Sequence, residues 1–180
     1  MSTQQVKVAS PVPCTRRQRW LLFVLSKNPA YWDKQMTITE ASREITVLSK
    51  QKSKAKEEFQ ALWSEATAAG MQALAAATPV PMIVQQHTNM LDDASPVKKQ
   101  WFVEGGVCGF AWVNIKPGTS AFARWLVKMS YARSDSYYGG VSYWVTDGGQ
   151  SMQRKEAYAQ ATAEELRKHG IKAQAMSRID

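Results

Sequence analysis

Apolar positions recur along this chain with one spacing up to about residue 77 and another beyond residue 100. Residues 1–14 contain Ser10, Pro11 and Pro13, have no periodic pattern and read as a flexible or extended arm. A helix is predicted after Cys14. Thr15 and Gln18 have capping-box spacing, Trp20, Leu21, Val24 and Leu25 form a stripe, and Asn28-Pro29 stops it. The next helix opens at Thr37 to Glu40, where Thr37 or Thr39 serves as cap, and Ala41, Ile45 and Leu48 face one partner. Together these make a helical hairpin, too short to bury much by itself, that must pack on something else or on a second copy. Residues 50–76 read as a further long helix striped by Phe59, Leu62, Trp63, Ala66, Met71 and Leu74. Gly70 either weakens it, at about 1 kcal/mol, or ends it. Pro79 and Pro81 enforce a stop and an extended segment, and the polar residues 85–100 read as a loop or linker.

Beyond residue 100 strands and helices alternate. Gly109 to Lys116 has few polar positions, with Phe110, Trp112 and Asn114 on one side and Ala111, Val113 and Ile115 on the other, as in a central strand buried on both faces. A helix capped by Thr119 or Ser120 carries Phe122, Trp125, Leu126 and Met129. After a loop from Arg133 to Gly140 come a strand at Val141–Val145, a helix at Ser151–His169 with Gly170 past its end, and a third strand at Ile171–Met176. Trp101–Val107 is expected to add an edge strand. The order β-α-β-α-β suggests a small sheet with two helices on one face, similar to half of a ferredoxin-like fold or a minimal α/β sandwich. The predicted class is therefore α+β: an arm (1–14), a basic helical N-terminal module (15–77), a linker (78–100) and a small α/β sandwich domain (101–180).

Charge adds a direction. The chain has 180 residues with 23 Lys and Arg against 15 Asp and Glu, a formal net charge of +8. Residues 1–70 hold eleven basic and six acidic side chains, a net of +5, and are the more basic part. This favours a polyanionic partner, nucleic acid or another acidic macromolecule. The two cysteines, Cys14 and Cys108, cannot build a disulfide framework or a four-cysteine zinc site. The two histidines, His87 and His169, add little, so neither a metal nor any other cofactor is expected. No stretch is long and apolar enough to span a membrane, and no signal peptide is read at the start. The expected location is the host cytoplasm or a virion.

Four features carry candidate chemistry. Arg16, Arg17, Arg19 and Trp20 combine phosphate-gripping guanidiniums with a ring that stacks on a base, although the same residues also suit a helix with an apolar core side. Lys50, Lys52, Lys54 and Lys56 form a positive ridge suited to a nucleic-acid backbone, but they occupy two rows and are followed by Glu57 and Glu58, as on an ordinary solvated face. Tyr131, Arg133, Tyr137 and Tyr138, followed by Tyr143 and Trp144, make an aromatic loop fit for a partner or a stacked base. Glu104 to Gly109 lacks the glycine spacing of a phosphate-cradling loop. No catalytic constellation is present, and the chain is expected not to be an enzyme.

Thr15-x-x-Gln18, followed by Thr37-x-x-Glu40-Ala41-Ser42-x-x-Ile45-x-x-Leu48, resembles a short helical module of phage and plasmid proteins of poorly defined role. Val107 to Val113 and Gly170 to Ala173 resemble uncharacterised phage-borne domains. The resemblance implies a phage origin and transfers no site residues. Two functions follow as expectations: an accessory protein that binds nucleic acid through its basic N-terminal surface, or a virion structural or assembly protein that binds copies of itself or another capsid component.

Overall fold

The computed structural model describes residues 12–180; most of the predicted arm lies outside them. The fold is α+β, with four α-helices and six strands in two sheets. The chain divides into two units, the first ending at Glu58 and the second running Phe59–Asp180.

In the first unit, α1 (Arg16–Ser26) begins as expected. The Thr15 hydroxyl accepts from the Gln18 N–H, and the Gln18 side chain returns to the Thr15 backbone. Lys27 closes the helix in a left-handed conformation, and Asn28 caps a short 3-10 turn, Pro29–Trp32. The end of the predicted arm is tied down: Pro13 bridges Thr37, and the Cys14 N–H donates to the Met36 carbonyl at 2.8 Å. The buried stripe differs from prediction. Gln18 donates to the Ile38 carbonyl and the Ser42 hydroxyl, which turns the face of residues 18 and 22 inward. Leu22 is therefore the buried residue, packed with Cys14 and Ala41 and flanked by Ile45 and Leu48, while Trp20 stays 53% exposed.

Helix α2 (Ile38–Ala76) is a single element of 39 residues where two were predicted. Thr37 caps it, with Glu40 completing the reciprocal pair. The physical reason for its continuity is compositional. No glycine or proline occurs between Ile38 and Ala69, and Ala, Lys, Glu and Gln dominate residues 50–61, so nothing stops the helix at Ser49. Gly70 does not end it either. The boundary between the units falls inside this helix rather than in the predicted linker.

That linker is also structured. Strands β1 (Met82–His87) and β2 (Val97–Val103) form an antiparallel hairpin that is a sheet of its own. Residues 97–100 read as polar, yet the cross-strand pairs Ile83–Phe102 and Val84–Trp101 supply the apolar and β-branched partners that stabilise a ladder. The expected edge strand near Trp101 thus pairs with β1 and adds nothing to the main sheet.

The main sheet has the order β4-β5-β3-β6, from β3 (Gly109–Lys116), β4 (Arg133–Ser134), β5 (Val141–Trp144) and β6 (Lys172–Ile179). All neighbours are antiparallel, so β5 and β6 flank β3 and run the same way, joined through α4 (Met152–Lys168). Helix α3 (Ala121–Lys128) is capped by Ser120, and α4 by Ser151. Ala111, Val113 and Ile115 meet Phe122, Trp125 and Leu126 of α3, Tyr158, Ala159 and Leu166 of α4, and Trp63 and Ala66 of α2 in one buried core. Every helix of this unit lies on that one side of the sheet.

Candidate functional site

The strand registers lay out the side of the main sheet opposite the helices of its own unit. Directly opposed residues share a face, and faces alternate along each strand. Since Ala111, Val113 and Ile115 point to the core, Phe110, Trp112, Asn114 and Lys116 point away from it. The pairing aligns Trp144, Trp112 and Met176 in one row, with Phe110 opposite Arg178 beside it. Arg133, Ser142, Asn114 and Gln174 form the next row, and Lys116 stands opposite Lys172 in the last.

The first rows are aromatic. Trp112 stacks on Trp144 with ring centroids 4.7 Å apart and lies 6.0 Å from Tyr138. The Arg178 guanidinium sits over Phe110 at 5.3 Å and over Trp144 at 6.0 Å. Trp144 is 42% and Tyr138 41% exposed, whereas Trp112 between them is buried. Its indole N–H has no acceptor among the described residues; such a buried unmet donor costs about 1–3 kcal/mol. These rings, with Asp135, Tyr137 and Arg178, line a groove of about 460 Å³.

The loop at 135–140 is built to hold Tyr137 and Tyr138 there. Asp135 accepts from the Tyr137 and Tyr138 backbone N–H groups and from the Ser142 hydroxyl at 2.6 Å. The Ser142 hydrogen bond is the largest cause holding the Asp135 carboxyl below its usual range, followed by the Tyr138 N–H; Lys116 adds a smaller attraction. The Asn114 amide donates to the Gly139 carbonyl and the Ser142 hydroxyl, closing the loop onto the sheet. Gly140 has φ +82°, and a side chain there would press on the Ile115 backbone, so only glycine lets the loop approach.

The cationic end is a second depression of about 490 Å³, lined by Lys116, Arg167 and Lys172 among others. The Arg167 guanidinium also donates to the Ala173 carbonyl at 2.9 Å. Trp112 and Lys116 are four residues apart on one strand face, about 13 Å at 3.3 Å per residue. The face therefore offers stacking surface at one end and positive charge at the other, with Arg133 and Arg178 on its flanks.

Of the residues singled out from sequence, Arg133 and Tyr138 belong to this face and Tyr137 lines its groove. Tyr131 instead packs near Trp63 and Trp125 on the core side. In the first unit Arg16 and Arg17 are exposed, and Arg19 donates to the Trp32 carbonyl at 2.5 Å. The arginines lie level with the first turn of α2, since their neighbour Gln18 bonds Ile38 and Ser42. Lys50 to Lys56 begin about ten residues further on, roughly 15 Å along the axis. Alternate lysines differ by about 200° around the helix. Lys52 donates to the Val24 carbonyl at 3.2 Å and Lys54 pairs with Glu58 at 3.9 Å. The basic residues are thus spread along the unit rather than gathered into one patch.

Trp112, Lys116, Lys172 and Arg178 are not singled out as site residues by the sequence, and the last strand runs past the predicted Met176 to Ile179, although the alternation of Ala173 and Ala175 with Lys172, Gln174, Met176 and Arg178 separates a core side from an open side. Among the described residues, one trio has metal-ligand geometry: Glu65, Glu165 and His169. The Lys168 ammonium already sits 2.6 Å from Glu165. Comparison with family models, curated proteins and solved structures finds no match to this chain.

Proposed function

We propose that this chain is a non-enzymatic nucleic-acid-binding protein whose principal contact surface is the open face of the main sheet. The observation that carries this reading is the joining, on one face, of the Trp144–Trp112 stack and Tyr138 with Lys116, Arg133, Lys172 and Arg178. Rings supply surface for bases and cations supply contacts to phosphates. Exposed cations of the first unit, Arg16, Arg17, Lys50 and Lys56, would add sequence-independent backbone contacts. Working beside nucleic acid in a host cytoplasm, or within a virion, fits the phage resemblance.

The test is affinity for a fluorescent oligonucleotide as a function of salt. Four phosphate contacts on a single strand give a log–log slope of about −3. The double variant Lys116→Gln/Lys172→Gln is expected to flatten that slope by about 1.4. No affinity at low salt would end the proposal.

A second reading is supported by the hairpin. An isolated two-stranded hairpin is marginal by itself, and here Phe102 is 68% and Ile83 58% exposed, with Trp101 and Val84 exposed on the opposite face. Such a surface suits an assembly protein that adds a copy of itself or another virion component. On this reading the chain self-associates without nucleic acid, and Ile83→Ser/Phe102→Ser shifts it to monomer in sedimentation equilibrium. A monomer at high concentration in the unsubstituted chain would remove self-association.

A further inference from the structure

Resting on the nucleic-acid reading above, we infer that the groove at Trp144 and Tyr138 takes an unpaired, single-stranded polynucleotide, with one or more bases stacked on these two rings. The argument starts from which base surfaces a ring can reach. Inside a duplex each base face is covered by its neighbours, and only edges show in the grooves. A flat aromatic surface gains from a base only when that base is out of the stack. The aromatic side chains stand on the face of a four-stranded sheet and line a concave groove, and such a sheet is broader than the single helix or two-stranded ribbon that a major groove admits. The groove volume of about 460 Å³ is in the range of small-ligand clefts, suited to a base rather than to a side of a double helix.

The surrounding charge fits a strand laid across this face. The Arg178 guanidinium stands over Phe110 and over Trp144, so a base that stacks on Trp144 displaces it toward the phosphates of the same strand, and Arg133 belongs to the next row. Lys116 and Lys172 lie farther along the same face, so a strand whose base sits on Trp144 passes its backbone toward them. The one acidic side chain lining the groove, Asp135, has one oxygen bound to two backbone N–H groups and the other to Ser142, and is turned into the loop's own hydrogen bonds. The preformed Trp112–Trp144 stack is already ordered, so a base adds to it without freezing new torsions. DNA and RNA share the stacking chemistry, and the inference covers unpaired strands of either.

The experiment measures fluorescence anisotropy of labelled oligo-dT, oligo-U and a duplex of mixed sequence with the full chain, at low salt. The expected result is at least about tenfold tighter binding of a single strand than of the duplex, and the two homopolymer arms report which sugar is preferred. Trp144→Ala is expected to weaken single-strand binding by between about five- and a hundredfold. Trp144→Phe, which keeps a ring, is expected to retain most of it, and Trp144→Leu, which keeps apolar area without a ring, is expected to lose it. Circular dichroism of each variant checks that the sheet is intact. Duplex binding equal to or tighter than single-strand binding overturns this inference and leaves the nucleic-acid reading standing. So does unchanged affinity of Trp144→Ala and Trp144→Leu. Absence of binding to all three probes removes both.

Discussion

Trp63→Ala is expected to lower the stability of the second unit by about 3–5 kcal/mol, the usual cost of deleting a large buried aromatic side chain. Trp63 is 4% exposed and lies in the core cluster under the sheet. Its ring meets Tyr143 edge-on with centroids 4.9 Å apart and stacks on Tyr131 at 5.9 Å. Tyr143 in turn shares a 3.1 Å hydrogen bond with Tyr158, and burial pushes both phenols above their ordinary pKa. Removing the indole leaves a cavity beside two hydroxyls that pair only with each other among the described contacts. Urea unfolding followed by near-ultraviolet circular dichroism reads the effect as a lower midpoint at unchanged slope. A loss under about 1 kcal/mol would mean that the Trp63 ring is peripheral to the core.

Gly70→Ala should destabilise the chain even though alanine is the better helix former. In a free helix the exchange gains about 1 kcal/mol. Here Gly70 is buried inside α2, and an added Cβ would collide with the Thr162 hydroxyl and come within 2.9 Å of the Tyr158 ring on α4. Overpacking of a close helix contact costs about 1–3 kcal/mol, so the net effect is a loss of about 1 kcal/mol for alanine and about 3 kcal/mol for valine. The double variant Gly70→Ala/Thr162→Ala separates the two contributions. Among the described residues the Thr162 hydroxyl has no hydrogen-bond partner, so its removal relieves the collision, while the buried methyl lost with it costs about 1 kcal/mol by itself. Recovery of most of the loss in the double variant relative to Thr162→Ala alone, measured as a coupling energy, would establish the contact. A Gly70→Ala chain more stable than the unsubstituted one would show that the helices do not meet there.

Much of this fold is legible in the residues alone. Thr15 with Gln18, Thr37 with Glu40, Ser120 and Ser151 mark helix starts by local chemistry that acts within three residues. The alternation from Gly109 to Lys116 identifies the central strand. What escaped the reading depends on pairing between distant segments. Gln85, Gln86 and Lys98 to Gln100 look like linker until Ile83 is set against Phe102 and Val84 against Trp101. The hydrophobic spacing divides α2 at Ser49, although no residue there breaks a helix. The intrinsic propensity of Gly70 speaks only against a helix, while its role comes from α4, more than eighty residues later. At the candidate site Tyr138 and Arg133 were singled out as loop residues. Arg133 joins the row of Ser142 and Asn114 through strand register, which one strand's sequence does not contain, and Tyr138 reaches Trp112 because the 135–140 loop folds back onto the sheet.

The sheet order also fixes a birth sequence. β3 occupies the middle of the sheet, yet one of its two neighbours is β6, whose pairs run from Lys116 with Lys172 to Gly109 with Ile179. During synthesis the central strand therefore emerges with one flank vacant and waits until the last described strand has left the ribosome. Contacts this remote in sequence form slowly and leave backbone donors open in the interim. A nascent chain halted before residue 172 would be expected to engage chaperones through β3, and the exit of the eight residues of β6 would be the event that closes the sheet.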